Sequence, residues 1–204
     1  MNENHAQVCT SPEWAEHIQT DILPRLARDL DLGGAMLEIG PGPGAATGWL
    51  ADRVSKLTAV EVDADAGRLL TDRYAGTNLE VVTGSATELD YPAESFDSVG
   101  CFTMLHHVPT IALQNAILAE AFRVLRPGGV FIGSDSLASN DLHDFHEGDT
   151  YNPVEPASLL TRLQTLGFAP ITVIVDNSVL FIAGKPGGPA GDPPGDRPAQ
   201  DVAR

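Results

Sequence analysis

Residues Glu38 to Leu50, EIGPGPGAATGWL, place a carboxylate just ahead of Gly40, Gly42 and Gly44, with Pro41 and Pro43 between the glycines. Glycines at this spacing let a backbone approach a ligand closely, because no Cβ stands in the way. Two ligand classes use such a loop. A dinucleotide fits the loose pattern Gly40-x-Gly42-x-x-Ala45, with an acid about twenty residues on. Against it, each proline removes an N–H that a pyrophosphate would need, and Glu38 sets a negative charge beside the phosphates. S-adenosylmethionine carries an ammonium, a sulfonium and no phosphate, so it reverses both objections. Glu38 gains a cationic partner, and the missing donors cost little.

The histidines are the second group with chemistry to offer. His106 and His107 follow an apolar run, and His143 and His146 lie in the polar stretch SNDLHDFHEGDTYNPVEP (139–156). An imidazole near neutrality suits a general base, and His106 and His146 are the candidate catalytic groups. His143, Asp144, His146 and Glu147 have a spacing that would gather metal ligands on one helix face. The stretch lacks a helical pattern, however, so it reads as solvated loop polarity and no metal is expected. A long polar loop at a ligand-facing edge reads as a lid or an acceptor wall.

These groups need a scaffold. Apolar runs at 35–40, 57–62, 79–84, 96–102 and 128–134 read as strands, the last introduced by the breaker RPGG. Helices are expected from about Ala45, over 64–76 with Gly76 as a stop, over 110–124, and over 158–167 ending at Gly167. ITVIVD and SVLFIAG are so close that only a hairpin joins them, which makes that pair antiparallel. The alternation predicts parallel strands with right-handed crossovers, an α/β doubly wound sheet with helices on both faces. Ligands in such sheets bind beyond the carboxyl ends of the strands, where the order reverses. An N-terminal helix, SPEWAEHIQTDILPRLARDL, has Ser11 as its cap and Pro12 in its first turn. Its Trp14 and His17 have two open roles, covering the cofactor or acceptor, or packing alone.

LEIGPGPGAAT resembles the first motif of the class I S-adenosylmethionine-dependent methyltransferases, and further motifs follow in order. AVEVDADAGRLL is similar to the second-strand motif, whose acid binds the ribose hydroxyls; that role falls on Glu61. TGSATEL is similar to the third-strand segment, but Ser85 stands where the family has an acid, which leaves a hydroxyl or the Ala86 backbone for the adenine. FDSVGCFTMLHHV resembles the fourth strand and the loop along the methionine part, and AFRVLRPGGVFIGSD the helix and fifth strand of small-molecule members. The resemblance spans Ala35–Asp135, and the final hairpin fits the family's antiparallel seventh strand. It implies a seven-stranded, mostly parallel sheet and methyl transfer to a small-molecule acceptor. The implied cofactor contacts are Glu38, Gly40, Gly42, Gly44, Glu61, Ser85, Ala86 and Thr103. An NAD-type oxidoreductase is the alternative enzyme. A non-catalytic cofactor-binding protein, with Ser85 as a mark of decay, is the alternative outside enzymes.

The chain has 204 residues and a formal net charge of −16. Its length suits one domain, and its charge opposes a grip on nucleic acid, which needs Lys and Arg against phosphates. The expected organisation is an N-terminal helical segment (1–30), a methyltransferase domain (31–185) and a disordered Pro- and Gly-rich tail (186–204). Two distant cysteines, Cys9 and Cys101, give no disulfide framework. No signal region or membrane span is visible, so a cytoplasmic protein is expected. Nothing in the chain fixes an oligomeric state.

Overall fold

In a computed structural model of the chain, residues 2–187 are described; the expected tail lies, from residue 188 on, outside the described residues. The seven apolar runs form one sheet: β1 (Ala35–Ile39), β2 (Lys56–Glu61), β3 (Leu79–Thr83), β4 (Phe96–Phe102), β5 (Leu125–Ser136), β6 (Ile171–Val175) and β7 (Ser178–Gly184). Their order is β3-β2-β1-β4-β5-β7-β6. Strands β1 to β5 pair in parallel, and β7 runs antiparallel to both β5 and β6. The doubly wound sheet and its closing hairpin are therefore as expected. β1 sits between β2 and β4, so the loops leaving β1 and β4 diverge and open a crevice between them.

Helices cover both faces. On one face α6 (Ile111–Val124) and α8 (Pro156–Leu166) pack Ile117, Leu118, Ala121, Leu159 and Leu163 against Leu37, Val99, Phe131 and Phe181. On the other, a π-helical turn (Ile18–Ile22), α3 (Leu23–Ala27) and α4 (Thr47–Ala51) bury Ile18, Leu23, Leu26 and Leu50 against Met36, Leu57, Ile132 and Leu180. Neighbours such as Met36 and Leu37 part to opposite faces, as the pleat requires. Ahead of these run α1 (Glu3–Cys9) and α2 (Pro12–His17), the latter capped by Ser11, whose hydroxyl accepts from the Trp14 N–H. α5 (Ala64–Arg73) starts at Asp63, whose carboxylate accepts the Asp65 and Ala66 N–H groups.

Two elements differ from the sequence expectation. β5 begins at Leu125 rather than at 128, because the register passes from Phe96–Leu125 to Ser98–Val130 and the RPGG segment bulges out between them. RPGG interrupts the strand without starting it. The stretch expected as loop contains α7 (Asn140–Phe145), begun by the Ser139 hydroxyl on the Leu142 N–H. Its six residues are too few to show a period.

The sheet is tight where β4, β5 and β7 meet. A Cβ built on Gly133 would lie 2.4 Å from Phe181 Cζ and 2.6 Å from the Cys101 carbonyl oxygen. Neither ring nor backbone can retreat inside this core. Gly133→Ala is expected to cost about 3 kcal/mol, or roughly 6–12 °C of melting temperature in a scanning calorimeter. An unchanged transition would refute this packing.

Candidate active site

Strand β1 delivers Glu38 to the crevice as a buried side chain, 1 % exposed. Its Oε2 and the buried hydroxyl of Thr47 on α4 each lack a well-formed hydrogen bond among the described residues, though the hydroxyl is close enough to favour the ionised carboxylate. Burial is the main force that raises the Glu38 carboxyl from its ordinary 4.5 to about 7; the Thr47 hydroxyl opposes the rise and the Glu61 charge adds to it. A carboxylate kept out of water with one oxygen unserved is poised for a cation.

The loop after β1 is held open rather than collapsed. Gly42 takes φ +53° and donates its N–H to Glu61 Oε2 at 2.9 Å, while Glu61 Oε1 accepts the Asp63 N–H at 2.9 Å. The Gln19 amide holds the Ala45 carbonyl at 2.8 Å, and the Arg73 guanidinium holds that of Pro43 at 2.8 Å. The Pro43 and Ala45 carbonyls are thus turned toward protein donors. A Cβ on Gly42 would meet no atom within 4 Å, whereas one on Gly44, at φ +87°, would strike Leu70 Cδ2 at 2.6 Å. Gly42 leaves room and Gly44 permits packing on α5.

Against this loop lies a cavity of about 520 Å³. Glu38, Gly40, Gly42, Glu61, Ser85, Ala86 and Thr103 all line it. Gly44 is not in the wall. Ser85 also bonds Thr87, its hydroxyl lying 2.8 Å from Thr87 Oγ1, so it caps a turn while facing the cavity. Thr103 sits at φ +50°, a costly conformation for a β-branched residue, fixed by its N–H on the Ser134 carbonyl at 2.8 Å. Trp14 lines the cavity and His17 does not; His17 is half exposed beside Asp21. Apolar side chains, among them Ile18, Phe102, Met104, Val108 and Leu113, complete the wall.

Gly42→Ala separates binding from folding. The added methyl costs about 1–2 kcal/mol for the left-handed backbone, but it stands where a ligand would approach. The expected result is a loss of S-adenosylhomocysteine affinity of more than about 30-fold, with a melting temperature lowered by only a few degrees. Equal affinity in the variant would remove Gly42 from the contact surface.

The histidines are arranged differently from the expectation. His107 lines the cavity; His106 and His146 stand behind it, each 3 % exposed and outside the wall. His106 Nδ1 lies 2.6 Å from Asp135 Oδ1, and the ring packs on His107 with centroids 3.9 Å apart. His146 Nδ1 lies 2.6 Å from the Leu142 carbonyl. Burial first, and then the surrounding imidazoles, push His107 down to about 3, so it stays neutral at ordinary pH. Sequence reasoning missed Thr47, Asp135 and His5, which packs on His107 and His146. Of these only Asp135, at the end of a strand, carried a positional signal.

Residues 37–133 match the family described as a methyltransferase domain. The fatty-acid O-methyltransferase of Mycolicibacterium smegmatis is 30% identical over 128 residues, which is 62% of this chain and 46% of that protein. The chain thus spans about half the length of that curated relative. Among solved structures, the PH0226 protein of Pyrococcus horikoshii OT3 superposes with a TM-score of 0.75 at 18% identity, over 91% of this chain and 100% of that one. Phosphoethanolamine N-methyltransferase 2 of Haemonchus contortus, in complex with S-adenosyl-L-methionine, superposes with a TM-score of 0.71 at 16% identity, over 85% of this chain and 56% of that one. Ordered motifs, strand order and family match agree: residues 37–133 of the chain form a methyltransferase domain, of the class I, Rossmann-like, S-adenosylmethionine-dependent type.

Proposed function

We propose that this protein transfers the methyl group of S-adenosylmethionine to a small, largely apolar acceptor. One observation carries the reading: the buried Glu38 carboxylate, with Oε2 unserved, faces a mid-sized cavity that Glu61 also lines. The chain's residues fit the donor. Glu38 would take its ammonium, Glu61 its ribose hydroxyls, Gly42 would admit the backbone-close portion, and Ala86 and Ser85 would border the base. When bound, the donor supplies an activated methyl on a positive sulfur. What the protein adds is alignment and exclusion of water. Apolar walls and the N-terminal roof of Trp14 and Ile18 serve both ends.

Phe102, Met104, Val108 and Leu113 favour an apolar acceptor, in keeping with the fatty-acid O-methyltransferase relative. Since His106 and His146 lie behind the wall, their expected role as bases in contact with acceptor is not part of this proposal. Among the described residues no helix is long and apolar enough to cross a membrane, and the unpaired Cys9 and Cys101 support a cytoplasmic setting. Glu38 also opposes the NAD-type alternative, since its carboxylate would face a pyrophosphate.

Calorimetry with S-adenosylhomocysteine and NADH, followed by turnover on carboxylic, phenolic, amine and thiol acceptors, tests the reading. Binding of the first nucleoside alone, with methyl transfer to an apolar acid or phenol, is expected. NADH binding in its place would overturn it. Cofactor binding without turnover on any acceptor would favour a non-catalytic protein.

A further inference from the structure

We propose that His5, His106, His107 and His146 form a site for one divalent transition-metal ion of the zinc type, which clamps the N-terminal segment and the end of α7 over the cavity. One ring nitrogen from each lies within 4.8 Å of the others. The rings are held from behind. His106 Nδ1 faces the Asp135 carboxylate at 2.6 Å, His5 Nδ1 the Asp149 carboxylate at 3.2 Å, and His146 Nδ1 the Leu142 carbonyl at 2.6 Å. A carbonyl only accepts, so His146 Nδ1 carries the proton and Nε2 presents a lone pair. That Nε2 is buried with no partner among the described residues.

A nitrogen lone pair needs a donor or a cation, and three other imidazoles surround this one. Metal-bound histidines share this arrangement: one nitrogen on a carboxylate or carbonyl, the other on the ion. Four nitrogens around a tetrahedral ion at 2.0–2.1 Å stand roughly 3.4 Å apart, so small side-chain rotations close the cluster. Imidazoles without carboxylate ligands suit zinc-like ions and not magnesium or calcium. Asp135, behind the His106 ring, supplies negative charge toward the dication. His143, one turn from His146, stays outside; it is exposed beside Asp144. This cluster is not the one the local spacing suggested, which shares only His146 with it.

The ligands come from three separate stretches: α1, the turn after β4 (Leu105–His107) and the C-terminal cap of α7. His107 and Asp149 line the cavity, as do Cys9 and Trp14 of the N-terminal helices. An ion here would fasten that roof. The effect on the cavity rests on the methyl-donor reading; the ion itself does not.

The test uses the full chain, stripped with a chelator, dialysed, and titrated with Co²⁺ followed by Zn²⁺ as competitor. One equivalent of Co²⁺ with the visible absorption of a tetrahedral nitrogen site is expected, displaced by Zn²⁺. His106→Ala and His146→Ala should weaken it at least about 100-fold and Asp135→Asn roughly 10–100-fold, while His143→Ala leaves it unchanged. If the alanine variants fail to fold, the wild-type melting temperature decides, since Zn²⁺ should raise it. No Co²⁺ spectrum and no Zn²⁺-dependent melting shift in the wild type overturns the site. So does unaltered Co²⁺ binding in folded His106→Ala and His146→Ala proteins. Zinc should also tighten S-adenosylhomocysteine binding; a bound ion without that effect overturns the clamp. A chain that binds zinc but no S-adenosylhomocysteine overturns the methyl-donor reading and leaves the site standing.

Discussion

Glu61→Ala is expected to weaken S-adenosylhomocysteine binding by about 100- to 1000-fold. The side chain has two tasks. Its oxygens already accept the Gly42 and Asp63 N–H groups, each at 2.9 Å, and so fix the glycine loop against the end of β2. A carboxylate has further lone pairs, and ribose hydroxyls would take them as charge-assisted bonds. Each such bond contributes about 1.5–3 kcal/mol, and two at the lower end of that span give about 3–4 kcal/mol, the range stated. Loss of the loop anchor adds to it, because the Gly42 N–H then lacks its acceptor. Glu61→Gln separates the tasks. The amide oxygen still serves Gly42, the charge is gone, and a loss nearer tenfold is expected. Titration calorimetry reads both, with thermal melting as the control for folding. Affinity within threefold of wild type in the alanine protein would remove Glu61 from the ribose site.

The places of Glu38, Glu61, Gly40 and Gly42 on the cavity wall were legible in the sequence because each sits at or just past a strand end, within a short run whose local pattern fixes its place. Once alternation gives a parallel sheet, strand ends converge on one crevice without any knowledge of side-chain packing. The same logic carried Thr103, though not its strained backbone, which follows from tertiary contact with β5. The histidine cluster was not legible. His5, His106 and His146 meet only through the docking of α1 and α7, and no periodicity encodes contacts about 40 and 140 residues apart. Asp135 reads as one more polar residue at a strand end until His106 is found upon it. Gly44 shows the converse. Its place in the motif suggested a ligand contact, and its geometry shows a glycine required by Leu70. Spacing reports what the backbone must permit, and only packing shows for which neighbour.

Glu38 yields the second large effect, and here binding and stability pull in opposite directions. In the cofactor-free protein burial holds its carboxyl at about 7, against 4.5 ordinarily. A cationic ammonium binds the ionised form, so affinity should be flat above about pH 8 and fall about tenfold per unit below 7, reaching roughly 100-fold at pH 5. The stability sign is the reverse. A carboxyl raised on folding contributes stability that is complete below 4.5 and is lost as pH climbs through 7. The cofactor-free protein therefore gives up about 3 kcal/mol by pH 8–9 to keep this charge buried. Glu38→Gln escapes that cost. It should melt roughly 6–12 °C higher than wild type at pH 8.5, match it near pH 4.5, and bind S-adenosylhomocysteine weakly with little dependence on pH. Melting curves and calorimetry across pH 5–9 decide between this and a merely structural acid. A structural acid would leave the variant less stable throughout and the pH dependence of binding intact. The stabilised variant that no longer binds would mean that the fold keeps Glu38 buried for the ligand and at the expense of its own stability.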